Sequence, residues 1–438
     1  MRDIAITLIT AVGLVWTVRY PYAGILLWAW ITFMDPHQLA FGFSQTLRIN
    51  LLVAVFTLIS LAYSKERKLP PQDATFALLV VFFLWMTLNS AIGVWPAQAW
   101  LHWDQTWRLM LLGLLVAATA TNKVRIHALV MVWTLSLAFY GVKGGGFTLM
   151  NGGTNHVIGP PNSTIADNNQ LALAILMSLP LANYLRIHSG NMLVRRVILI
   201  SMILCLVSVL GSYSRGAFVG LAGLVVVAWA RSKKKWLYPL VATAVIVPAL
   251  TLMPAGYYDR MNSIQTANSD SSFQGRVDAW GVAFGYARDH FPFGAGFDAP
   301  LLPQVFNHYA PGKETHAAHS IFFQVLGDNG FMGLAIYLAL LSVAFYNSNT
   351  IRRLTRNRPD FAWAYDLAGM LQLTLFVYCL GGAALSFAYY DGLWVAVGLL
   401  SAMREIVVRS TATSGWRKGM GDTRISRAPQ TVPAFAPE

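Results

Sequence analysis

Three short stretches of the chain hold residues suited to gripping a phosphate and moving a proton. "GSYSRGAF" (211–218) sets Arg215 among small and hydroxyl residues, inside an otherwise apolar run from Val197 to Ala230. "GRVDAWGVAFGYARDHFPFGAGF" (275–297) opens with Arg276 and carries Arg288 further on, and "HAAHSIFFQVLGDNGFMG" (316–333) opens with His316 and His319. A guanidinium is a rigid five-donor cation, and its natural guest is a phosphate or diphosphate. A histidine of ordinary pKa, near ~6.5, accepts a proton at neutral pH. Plainer readings exist for each: an arginine that snorkels to lipid headgroups, and an interfacial histidine satisfied by hydrogen bonds. An ionisable residue within an apolar run is nonetheless a functional candidate.

The elements that must position these groups are membrane helices. Of 438 residues, 56% are hydrophobic and only 12% charged, against ~25% charged in a soluble protein. Apolar segments of ~20 residues, each able to cross a ~30 Å hydrocarbon core, recur along the chain. The net charge of +13 does not point to nucleic acid. Most Lys and Arg lie in short connections (65–68, 123–125, 186–196, 231–235, 352–358) and in the last stretch after Arg404, which marks one side as cytoplasmic. From a cytoplasmic C-terminus, spans are expected near 392–408, 364–386, 330–349, 237–253, 216–230, 195–210, 169–185, 125–142, 105–121, 74–92 and 48–63. Residues 4–34, cut by "RYP" at 19–21, complete the N-terminal part. The expectation is an all-α polytopic protein of about twelve crossings. Residues 1–253 form the first half of the bundle with an outer loop at 143–168, 254–329 a large outer loop, 330–408 the last helices, and 409–438 a disordered cytoplasmic tail.

Val197–Ala230 as one helix would be ~51 Å long at ~1.5 Å per residue, so the chain must turn, and Gly211, Ser212, Ser214 and Gly216 are the turn residues. Both outer ends of the run are basic, so Arg215 lies at the opposite, external interface. In the large outer loop, Val277, Trp280, Phe284 and Ala287 fall on one helical face, predicting an amphipathic helix over 276–290. Pro292, Gly294 and Gly296 end it. Cys205 and Cys379 lie in apolar stretches and imply no disulfide framework. His316 and His319 lack the Cys or Glu partners of a zinc site, so no metal and no cofactor is expected.

The order "SYSRG", then "GRVDAW…FPFGAGF", then "HS…LGDNGFMG" resembles the O-antigen ligase family, a group that includes O-antigen polymerases and protein O-oligosaccharyltransferases. The opening residues "MRDIAITL" and "TFMDPHQLAFGF" look like the branch of O-glycosylation ligases. The resemblance implies a GT-C-like bacterial inner-membrane glycosyltransferase. It would move a glycan from an undecaprenyl-diphosphate donor to a hydroxyl of lipid A-core on the periplasmic face. The family's two arginines fall on Arg215 and Arg276, and its histidine on His319. Ser214, Arg288, Trp280 and His316 are candidates for substrate contact beside them. One departure is Asp328, where relatives often carry Glu, which leaves the role of that carboxylate open.

The chemistry agrees with the resemblance. Many glycosyltransferases hold a divalent metal with an Asp-x-Asp motif, which this sequence lacks. Arginines then carry the charge developing on the diphosphate, donors that are each worth ~3–4 kcal/mol when preorganised. His319 as general base would contribute on the order of 10²–10⁴, and direct attack would invert the anomeric centre. An O-antigen polymerase or a protein O-oligosaccharyltransferase shares this logic. A flippase for a lipid-linked sugar would also want outward arginines, but transporters often show repeated halves, which are not seen.

Overall fold

The structure, a computed structural model, describes residues 1–65, 71–231 and 271–422, with positions 236 and 243. Among these residues every regular element is helical. The α-helices are α1 (Arg2–Arg19), α2 (Pro21–Met34), α3 (Ile49–Tyr63), α4 (Ala74–Ile92), α5 (Pro96–Thr119), α6 (Lys123–Met150) and α7 (Asn168–His188). They continue as α8 (Met192–Leu210), α9 (Arg215–Arg231), α10 (Ser271–Asp289), α11 (Pro303–Tyr309), α12 (Ile321–Thr355), α13 (Ala362–Gly382) and α14 (Asp391–Asp422). The N-terminal apolar stretch divides at Tyr20. Pro21 takes the first helical position of α2, where its missing N–H costs nothing and its fixed φ favours the start.

Among the described residues, six segments are long and apolar enough to cross a membrane: α4, α6, α7, α8, α12 and 359–382. The helices α2 and α3 are apolar but shorter. The expected span at 237–253 lies outside the described residues apart from Thr243, as do residues 254–270 of the expected loop. Six of the dozen anticipated crossings therefore meet the measure of length and apolarity. The last helix is assigned through Asp422, past the point where the tail was expected to start; residues 423–438 lie outside the described region.

α7 is the mast of the bundle. Every residue from Leu171 to Leu181 is buried, and α6, α8, α9 and α13 all pack on it. A helix apolar on all sides belongs in the interior, and this one presents its first turn to the outer connections. α8 is the contrast: 28% of its apolar window is buried, against 72% for α7.

The outer loop expected at 143–168 begins later than its composition suggests. Residues 143–150, including three consecutive glycines, continue α6 to Met150. Gly141, Gly144 and Gly145 let α6 and α8 approach closely. A Cβ on Gly145 would sit 2.1 Å from the carbonyl oxygen of Leu204, and one on Gly144 2.4 Å from Ser208 Oγ. Small residues replace side-chain bulk where two membrane helices touch backbone to backbone. Gly146 faces open space, with nothing within 4 Å of an added Cβ.

α10 packs on the protein with residues that only partly coincide with the apolar face read in the sequence. Ala279, Val282, Ala283, Tyr286 and Ala287 form the buried face, against α12 and α11, while Val277 and Phe284 are exposed. The helix carries two apolar faces, and small alanines rather than large side chains mark the one that packs on protein.

The glycine contact can be tested with a matched pair of substitutions. Gly145→Ala should lower thermal stability in a detergent-solubilised melting assay, by roughly 1–3 kcal/mol for an overpacked contact, while Gly146→Ala should leave the melting temperature unchanged. Equal behaviour of the two would show that α6 and α8 do not meet in this way.

Candidate functional site

The first turn of α7 ties two irregular segments together. Asp167 caps the helix, its Oδ1 accepting the N–H of Asn169 at 2.9 Å. Asn168 Nδ2 donates to the carbonyl of Ser212 at 2.6 Å, inside the "SYSRG" turn. Gln170 Nε2 donates to the carbonyl of Ser386 at 3.2 Å, in the segment between α13 and α14. One helix end thus holds both.

Arg215 is the first residue of α9, immediately after this turn. Ser214 is buried, and its hydroxyl accepts the N–H of Ala217 at 3.1 Å, the bond of an N-cap. Its oxygen serves the helix start. Gly216 abuts the end of α13, since an added Cβ would lie 3.3 Å from Gly381 O and 3.2 Å from Leu385 Cγ. Tyr213 adopts φ 59°, stacks on His156 with centroids 4.5 Å apart, and donates its hydroxyl to the Gly153 carbonyl.

His319 stands on the other side of the same 383–390 segment. Its backbone N–H donates to Ser386 Oγ at 3.0 Å, and its φ of 42° is a left-handed value that L-residues rarely adopt. Such strain persists only where surroundings enforce it, often at functional sites. Trp280 supplies part of the enforcement: Nε1 donates to the Ala318 carbonyl at 2.6 Å, and the indole stacks on Phe323 at 5.0 Å and 6°. His316 lies over Gly275, where a Cβ would come within 2.4 Å of its ring. The first turns of α10, with Arg276, are thereby packed against the irregular segment bearing His319.

Burial pushes the His319 imidazole below its ordinary value; Arg276 and then His316 add to this, and Asp167 opposes it. Arg276, Asp167 and His316 thus lie near enough to His319 to act on its charge. Arg288 is not among them. It lies at the far end of α10, about 18 Å from Arg276 along the helix at ~1.5 Å per residue, and is exposed and paired with Asp289 at 2.9 Å.

A second set of contacts clamps the loop to the bundle. The backbone of 294–296 runs against 327–328, with Ala295 N–H to Gly327 O at 2.8 Å and Gly296 N–H to Asp328 O at 3.0 Å. Those carbonyls serve the loop because Gly330, at φ 70° and ψ −173°, interrupts the helical path of α12. Gly294 and Gly330 both permit close approach: a Cβ on Gly294 would fall 2.4 Å from Asn329 N, and one on Gly330 2.3 Å from the Phe293 carbonyl carbon. From α4, Asn89 accepts Gly294 N–H at 2.8 Å, and Trp85 stacks on Phe293 at 5.2 Å.

Asp328 belongs to this clamp. It is 4% exposed, accepts Tyr389 O–H at 2.9 Å and the backbone N–H of Asp298 at 3.2 Å. The carboxylate holds the 297–298 corner and Tyr389 together inside the protein. His102, before the apolar part of α5, closes the corner with a 2.7 Å ion pair to Asp298. Sequence reading did not single out Asp167, Gln170, Ser386, Asn89 or His102. The run Asp167-Asn168-Asn169-Gln170 ahead of an apolar helix was the available signal, as a helix start.

An all-helical chain with several helices of membrane-crossing length and apolarity is consistent with a polytopic membrane protein. Residues 200–338 match the family described as O-antigen ligase, and residues 1–190 match a family of unknown function. The match over residues 200–338 supports an assignment of the chain to the O-antigen ligase family. No curated protein matches the chain.

The clamp has a pH signature. The hydrogen bond to Asp298 raises the His102 pKa above its usual value, against the opposing effect of burial. A raised histidine pKa contributes stability in full below the unfolded value of ~6.5, and that contribution is lost as pH rises through the folded value. Hydrogen-exchange protection in peptides covering 291–300, measured relative to the intrinsic base-catalysed rate at each pH, should therefore fall on the alkaline side, and His102→Ala should remove that fall. Identical profiles for the two proteins would rule out the pair as a clamp.

Proposed function

We propose that the protein is a glycosyltransferase acting at the outer face of the bacterial inner membrane, transferring a glycan from undecaprenyl diphosphate to a hydroxyl of lipid A-core. Arg215 and Arg276 grip the diphosphate. The imidazole of His319 takes the proton of the acceptor hydroxyl as its oxygen bonds to the anomeric carbon. The bond from that carbon to the diphosphate oxygen breaks, and the electron pair leaves with the diphosphate, where the guanidiniums stabilise it. A single displacement inverts the anomeric centre. Trp280 and His316 brace the segment that carries the base. Neither a metal nor a cofactor enters this scheme.

What supports this reading is that Arg276 acts on the charge of His319, and that the His319 backbone bonds to Ser386, next to Leu385, which abuts Gly216 directly after Arg215. A base flanked by cations is disfavoured from holding a proton at rest and is available to take one. This suits a histidine whose pKa lies below its ordinary value.

Purified protein in lipid, supplied with undecaprenyl-diphosphate glycan and lipid A-core, should extend the acceptor. His319→Ala should lower the rate by on the order of 10²-fold or more, and Arg215→Lys should cause a severe loss because the ammonium cannot reproduce the bidentate fork. Near-normal transfer by His319→Ala would refute the assignment of the base. Activity should decline as pH falls through a value below ~6.5, when the imidazole is already protonated. Extension of a second lipid-linked glycan or of a protein, in place of lipid A-core, would reassign the acceptor while leaving the arginine chemistry intact. In cells, donor trapped on the cytoplasmic face of a His319→Ala strain would mark a flippase instead.

A further inference from the structure

We propose that Asp167 is a positioning residue for His319, its carboxylate supplying the negative charge against which the imidazolium forms when the acceptor gives up its proton. This rests on reading His319 as the base. The balance is simple: the proton moves from the acceptor oxygen to the imidazole, and Asp167 stays ionised throughout.

The geometry comes from the outer end of α7. Asp167 is fixed there by two hydrogen bonds to Oδ1, from the N–H and from Nδ2 of Asn169, both at 2.9 Å. Three residues further on, Gln170 holds the carbonyl of Ser386, whose hydroxyl receives the N–H of His319. The helix turn that carries Asp167 is thus tied, through Gln170 and Ser386, to the backbone of His319.

The charges around His319 make a carboxylate necessary. Arg276 arrives from α10 and His316 from the same segment as His319, and both act against a second positive charge; Asp167, from α7, acts in its favour. A base surrounded by cations alone would be available but too weak to hold the proton in the transition state. Asp167 is exposed to solvent, so water screens it in the resting protein. Donor and acceptor seated over His319 displace that water, and the attraction between carboxylate and imidazolium grows as the local dielectric falls. The arrangement resembles a histidine–carboxylate pair in which the acid orients and steadies the imidazolium without taking the proton itself.

Asp167→Asn separates charge from structure, because Asn caps a helix about as well as Asp. In the reconstituted full-length protein, kcat should fall roughly tenfold, with KM for the lipid-linked donor within about twofold of the parent. The acid limb of the pH–rate profile should move down by about half a unit, since the remaining neighbours favour the neutral imidazole. Asp167→Glu should restore the limb. A normal kcat and an unmoved limb in Asp167→Asn, with His319→Ala inactive, overturns the role of Asp167 alone. An active His319→Ala overturns the base, and the role of Asp167 with it. A loss in Asp167→Asn that follows a lowered melting temperature and leaves the limb in place also overturns the proposal, since it reports only the cap.

Discussion

Two side-chain amides at the start of α7 tie together the irregular segments around the candidate site. Asn168 binds the Ser212 carbonyl and Gln170 the Ser386 carbonyl. Without them, the turn before Arg215 and the segment beneath His319 would be two unrelated loops. The backbone they hold is costly. Tyr213 and His319 both sit at positive φ, and residues in such regions cost on the order of 1–3 kcal/mol each. A hydrogen bond contributes only about 1 kcal/mol net, so the amides do not suffice by themselves. The rest comes from the buried shaft of α7, whose packing on four neighbours fixes the place of its first turn. A rigid interior helix is what allows strained loops to persist at its end.

Much of the helical frame could be read from the sequence. The bounds 74–92 follow from an apolar run between polar residues, and Tyr20-Pro21 announces a break through proline's lost N–H. The continuation of α6 through Gly144–Gly146 could not be read. Glycine argues against helix by propensity, and only the surface of α8, with Cys205 and Ser208 facing the gaps, turns those glycines into a packing surface. The buried side of α10 was hidden for the opposite reason. Alanines at 279, 283 and 287 give little hydrophobic signal, while Val277 and Phe284 give a strong one and face outward.

The site was legible as residue types but not as connections. Arg215, Arg276 and His319 stand out because charge and imidazole are rare in such a sequence. Ser386 does not, since a serine between two helices has no signature, and its importance comes from two partners distant in sequence. Asp328 shows the same limit: a carboxylate beside glycines in a family motif invites a chemical role. Its environment, with Tyr389 and the Asp298 backbone taking both oxygens, places it in the architecture of the clamp. The glycines around it serve contact, as Gly294 and Gly330 let two chain segments meet without side chains between them.

The two apolar sides of α10 bear on how this part of the chain can exist at all. One side is sealed by α12 and α11; along the other run Phe273, Val277 and Phe284, with Phe291 following the helix. Cut away from the bundle, such a segment would present grease to water in every direction and would clump with its own copies. Any study that isolates it in aqueous buffer would be observing a different object.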